Sequence, residues 1–162
     1  MRILLASLAL ATLSACGLSP MYAGGGSGAV AQSLAAIEVS PIEGRAGWLV
    51  RSALEERFAA AGSATPQYRI EVTLDDQLEG LAVLRDDTIS RERRTLRARY
   101  QLIDLASGEI VLDATDGSDA GIDVVSSEYA VIAAEQTALE NLSRDIAQRI
   151  VTRVALALRK QQ

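Results

Sequence analysis

Histidine is absent from this 162-residue chain, and cysteine occurs once. Without an imidazole there is no serine-histidine-aspartate or cysteine-histidine nucleophile system, and most zinc sites are excluded as well. A single thiol cannot close an internal disulfide. Aromatic side chains are scarce, with one tryptophan, one phenylalanine and four tyrosines, so a core has to come from Leu, Ile, Val and Ala. Basic residues number 16 against 21 acids, a net charge of −5. That balance argues against a nucleic-acid partner.

The one cysteine has a telling address. Met1-Arg2 supplies a positive charge, and ILLASLALATL follows, apolar but for Ser7 and Thr12. This is the n-region and h-region of an export signal, too short for the ~20 apolar residues of a spanning helix. LSAC, ending at Cys16, resembles the lipobox of bacterial lipoproteins, in which the thiol becomes a thioether to diacylglycerol and cleavage leaves it as the first residue. Residues 1–15 then form a signal peptide. Its removal takes away Arg2 and no acid, leaving 15 basic and 21 acidic residues, net −6. Gly17 fits export to the outer membrane, since inner-membrane lipoproteins of enteric bacteria carry aspartate there. GLSPMYAGGGSGA reads as a flexible tether, so residues 16–33 form a lipidated N-terminus and spacer. GGGSG lacks the strand context and the Lys-Ser/Thr of a phosphate loop, and no cofactor is implied.

Residues 34–160 are enough for one domain. A short β-branched segment around Ala36 to Ile42 ends near Pro41. Gly44 to Gly62 reads as a helix, with Val50, Ala53, Leu54, Phe58 and Ala61 at three- and four-residue steps. Tyr68 to Leu74 alternates, with Tyr68, Ile70, Val72 and Leu74 inward. Leu81 to Arg85 has the look of another strand. Thr95 to Ile103 alternates again through Leu96, Ala98, Tyr100 and Leu102. LASG is turn chemistry, and Ile110, Leu112 and Ala114 return on one face, giving a hairpin. DGSDAGIDVVSSE reads as turn and helix approach. From Ser127 to Arg159 neither Gly nor Pro interrupts, and Ile132, Leu139, Leu142, Ile146, Ile150, Val154 and Leu158 form one stripe. The order predicts an α+β two-layer sandwich, two helices on a four- to five-stranded, mostly antiparallel sheet.

Chemistry is sparse. Asp75-Asp76 and Asp86-Asp87 are carboxylate pairs, but neighbours on a strand face opposite ways, so they serve a hydrolase poorly. Asp113, Asp116, Asp119 and Asp123 miss the spacing of a calcium loop and its closing Glu. The outstanding feature is RERRTLRAR, residues 91–99, five arginines in an acidic chain, followed by seven acids and no base between Asp104 and Glu128. If Leu102 pairs with Ile110, Arg99 falls opposite Asp113, and Asp116 could serve Arg97. Arg91, Arg93 and Arg94 have only Glu92 as an evident partner. Arginine forks bind phosphates bidentately, so Arg91, Arg93, Arg94 and Arg97 are the candidate anion-binding residues, with an envelope phosphate such as those of lipid A as ligand.

Several segments together carry a resemblance. Cys16-Gly17-Leu18-Ser19-Pro20-Met21-Tyr22 is similar to the cysteine-glycine-aromatic-x-proline-leucine-tyrosine opening of the LptE family of lipopolysaccharide-assembly lipoproteins, in its alphaproteobacterial form, with Leu18 and Met21 as conservative departures. VSPIEGRAGWLVRSALEERF, YRIEVTLDDQLEGLAVLRDDTISRERRTLRARYQLIDLASGEIV and SSEYAVIAAEQTALENLSRDIAQRIVTRV follow that family's order of features. The Arg85-Asp86-Asp87-Thr88 lead into the basic strand and the LIDLASGE hairpin are its most specific parts. The resemblance implies a non-enzymatic protein that plugs the LptD outer-membrane barrel, helps it assemble and contacts lipopolysaccharide. It also implies two helices on a four-stranded sheet. A rival expectation is an accessory lipoprotein of another envelope lipid-transport or barrel-assembly complex.

Overall fold

The computed structural model describes residues 28–83 and 89–161. The segment expected as an export signal, Cys16, Asp86 and Asp87 lie outside the described residues.

Helix α1 (Ala29–Ala35) leads into β1 (Ile37–Val39), and α2 (Gly44–Ala60) carries the chain over to β2 (Tyr68–Val83). Strands β3 (Ile89–Asp104) and β4 (Ile110–Asp123) follow, then the long α3 (Glu128–Arg159). Three helices therefore pack on a four-stranded mixed sheet of order β1-β2-β3-β4. Strand β1 runs parallel to β2, and the other pairs are antiparallel. The parallel pair is possible because α2 supplies the crossover that such strands need. Among the described residues no helix is long and apolar enough to cross a membrane.

Both large helices cover the same face of the sheet. From the sheet, the even-numbered residues Ile70, Leu96, Ala98, Tyr100, Leu102 and Ile122 are buried. From α2 come Val50, Ala53, Leu54 and Phe58, and from α3 Leu139, Leu142, Ile146, Ile150, Val154 and Leu158. The stripe expected on α3 holds from Leu139 onward, but Ile132 is 45% exposed. Helix α1 adds Ala31 and Leu34 to the buried set, from within and just beyond the stretch read as tether.

Three differences from the sequence reading concern the strands. Leu81 belongs to β2 and starts no strand of its own, because β3 begins at Ile89 and its pairing carries β2 on to Val83. Strand β4 continues through residues expected as turn, since its register with β3 runs without a break from Leu112 to Asp123. Finally, a bulge between Leu102 and Ile103 sets Leu102 opposite Leu112 but Ile103 opposite Ile110. The extra residue, Val111, reverses the alternation. Ile110 therefore points away from Leu112 and Ala114 and is 55% exposed.

The β3–β4 turn is fixed by Asp104. Its Oδ1 accepts the backbone N–H groups of Ala106 (2.8 Å) and Ser107 (3.0 Å). Gly108 takes φ +75°, a left-handed conformation that suits glycine.

Candidate anion-binding face

Successive strand residues point to opposite faces, and this parity divides the basic run. Arg91, Arg93, Thr95, Arg97 and Arg99 share the face away from the helices, while Glu92, Arg94, Leu96 and Ala98 face them. The open face is polar across the three long strands beside the arginine row, and turns apolar at the β3–β4 turn end, where Ile103 and the exposed Ile110 pair. Arg69, Glu71, Thr73, Asp75, Gln77 and Glu79 flank the arginine row on β2. Asp113, Thr115, Gly117, Asp119, Gly121 and Asp123 flank it on β4.

The candidate arginines have different surroundings. Arg91 Nε lies 3.4 Å from Asp123 Oδ1, with both side chains largely exposed. Arg93 stands between Glu79 and Gly121, and Arg97 between Asp75 and Gly117. Among the described residues neither Arg93 nor Arg97 has an ion-pair partner at salt-bridge distance. Asp75, directly across from Arg97, has both oxygens engaged by Gln77 Nε2 at 3.1 and 3.2 Å. Asp116 does not serve Arg97, contrary to expectation. It sits on the helix side, opposite Ala98, and takes the Tyr100 hydroxyl at 2.6 Å and Arg153 Nη2 at 3.1 Å.

Arg94 is the member that the structure separates from the rest. Its Nε and Nη2 donate to Asp76 Oδ1 (2.8 Å) and Oδ2 (2.6 Å), and Nη1 donates to the Glu135 carbonyl (3.2 Å). The two side chains are 17% and 25% exposed. The Asp76 hydrogen bonds raise the Arg94 pKa above its ordinary value. Arg94 thus has a partner that the sequence reading did not identify, and it ties β2 and β3 to α3.

Arg99 does bond Asp113, through Nη2–Oδ2 at 3.0 Å and Nε–Oδ1 at 3.3 Å. The contact is diagonal, because the bulge puts Thr115 directly opposite Arg99. Asp113 also accepts from Gln101 Nε2 at 2.8 Å. Arg99 and Gln101, with Glu71 and Thr73, line a shallow depression of about 200 Å³ on this face.

Two glycines complete the face, and the sequence reading missed their role. A Cβ on Gly117 would lie 3.5 Å from Arg97 Cγ, and one on Gly121 3.8 Å from Arg91 Nε. Neither glycine presents a side chain, so the stem of Arg97 and the guanidinium of Arg91 pass beside β4 unobstructed, and both arginines are exposed. The signal was available: Gly117 and Gly121 share the odd-numbered parity of the arginines. Asp75 and Asp76 point to opposite faces, and among the described residues no cluster of three or more His, Cys, Asp or Glu could hold a metal.

This topology and the basic central strand coincide with a match to the model of the family described as LptE, lipopolysaccharide-assembly, over residues 34–154. The chain belongs to the LptE family. Its fold is shared with a putative lipoprotein of Caulobacter crescentus at 25% identity and a TM-score of 0.66, covering 83% of this chain and 98% of that one. A minor lipoprotein of Acinetobacter baumannii superposes with a TM-score of 0.57 at 13% identity, over 75% and 92% of the two chains. Rare lipoprotein B of Shewanella oneidensis does so with 0.51 at 12%, over 74% and 92%. The last two likenesses concern the fold alone. No curated protein sequence matches the chain.

Proposed function

We propose that this LptE-family chain is a non-catalytic outer-membrane lipoprotein. Cys16 carries its lipid anchor on the periplasmic face. It occupies the lumen of the LptD barrel, assists that barrel's assembly, and contacts lipopolysaccharide on its way to the surface. The observation that carries the reading is the open sheet face, polar around the row of Arg91, Arg93, Arg97 and Arg99. A barrel lumen is polar, so a face with alternating charges suits it where an apolar patch would not. Arginines two apart on a strand stand about 7 Å from each other, a spacing that gives separate phosphates separate forks. Exposed ion pairs contribute only ~0.2–1 kcal/mol each, and the acids alongside compete for the same guanidiniums. Any contact with phosphorylated sugar is therefore easily broken, as a transit site requires. Arg94 acts in this scheme as the strut behind the face.

Two measurements test the reading. Affinity isolation from gently solubilised outer membranes should recover LptD; recovery of an inner-membrane transporter in its place would overturn it. The double variant R93E/R97E should bind lipopolysaccharide at least fivefold more weakly than the parent while still recovering LptD. Equal lipopolysaccharide binding would remove the face from the mechanism.

A further inference from the structure

A second site candidate lies on the other side of the sheet and owes nothing to the arginine row. Strand β4 is an edge. It bonds β3 on one side, and among the described residues no backbone group pairs with its other side. Beside that edge, between β4 and the second half of α3, runs a groove of about 650 Å³. Leu112 and Asp116 form the strand wall, and Arg149, Arg153, Leu156 and Lys160 form the helix wall.

The two walls match in length. Four residue steps from Leu112 to Asp116 cover about 14 Å of strand. Eleven steps from Arg149 to Lys160 cover about 17 Å of helix. The helix residues recur at four, three and four positions, so they form one stripe along the groove. That stripe is cationic in a chain of net charge −5. Its one facing acid, Asp116, is already committed to Tyr100 and Arg153. Among the described residues Arg149 and Lys160 have no ion-pair partner. Leu156, 44% exposed, is an apolar member of the helix wall.

We propose that an extended acidic segment of a partner protein adds to β4 as a fifth strand. Alternate side chains would lie in the groove against Arg149, Arg153 and Lys160. Strand addition between a sheet edge and a helix derives affinity from main-chain hydrogen bonds and specificity from pockets for alternate side chains. A second copy of this chain is a poor occupant. Antiparallel pairing of β4 with itself sets Asp113 opposite Asp123 in one register and Asp119 opposite its own copy in another, and like charges directly opposite are destabilising. The face used is distinct from the one proposed to meet lipopolysaccharide, so the two readings fail independently.

The test uses the full chain and a fluorescein-labelled heptapeptide of alternating glutamate and threonine, followed by fluorescence anisotropy. The peptide should bind saturably. R149E/K160E should weaken binding at least tenfold, as should replacing the peptide's glutamates by lysine. R93E/R97E should leave it within twofold. Methylating alternate backbone nitrogens of the peptide gives two forms, and one of them should lose at least tenfold because its donors face the strand edge. The proposal is overturned by any of three results: no binding up to millimolar peptide, both methylated forms binding as tightly as the parent, or a groove that takes up phosphatidylglycerol vesicles and ignores the peptide.

Discussion

Five arginines stand within nine residues, yet they do different work, and strand parity decides which. Arg94 turns toward the helices, where its fork meets Asp76 and the Glu135 carbonyl. Removing one member of a poorly exposed ion pair strands the other, whereas removing an exposed arginine costs little. Arg94→Met should therefore lower unfolding stability by about 1–3 kcal/mol, read as a drop in urea midpoint. Lipopolysaccharide binding by the folded protein should remain parental. Arg93→Met should show the reverse pattern, with unchanged stability and weaker binding. Identical behaviour of the two variants would mean that facing direction does not divide the cluster. Parity was legible in the sequence for Leu96, Ala98 and Tyr100. Extended two residues upstream of Leu96, it places Arg94 with the core. The partner was not legible, because Asp76 is 18 positions away and the reach to Glu135 depends on how α3 crosses the sheet.

Among the elements, the two long helices are legible because their apolar stripes and stop signals are local: Gly62 at φ +124° ends α2, and the absence of Gly or Pro lets α3 run 32 residues. The short α1, Ala29–Ala35, is not, because it begins inside the stretch whose glycines read as tether. Strand ends run further than the local pattern predicts. Gly80, Gly117 and Gly121 look like turn residues, and only pairing with β3 shows that the ladder passes through them. The bulge at Leu102 was equally hidden, since nothing local marks Val111 as the extra residue. Packing likewise reverses a propensity rule at Gly47. In an exposed helix Gly→Ala gains up to ~1 kcal/mol. Here a Cβ would sit 2.5 Å from the Ile42 carbonyl oxygen, in the loop joining β1 to α2. Gly47→Ala should accordingly destabilise by about 1–3 kcal/mol, seen as a lower melting temperature. A higher one would show that the loop can move aside.

For the molecule as a whole, a core on one face and charge on the other make stability depend on pH through a few identifiable groups. Asp104 is held below the usual carboxylate range chiefly by the Ser107 N–H and then by that of Ala106. Asp113 is held below it by Arg99 first and Gln101 next. A carboxylate with a depressed folded pKa contributes stability that is complete above its unfolded value of ~4 and lost as pH falls through the folded value. Tyr100 defines the opposite limb. Burial, then the Asp116 hydrogen bond, raises its hydroxyl above the ordinary range, so the unfolded chain releases that proton first as pH rises. Its contribution is complete below about pH 10 and declines beyond it. Urea midpoints should therefore hold a plateau from about pH 5 to pH 10 and fall on either side. Asp104→Ala and Asp113→Ala should each lower the plateau and flatten the acid limb without altering the alkaline one. Tyr100→Phe should flatten the alkaline limb alone, because it removes the only titrating hydroxyl among the largest fully buried side chains. Limbs that persist unchanged in all three variants would assign the pH dependence to the net charge of the chain instead of to these hydrogen bonds.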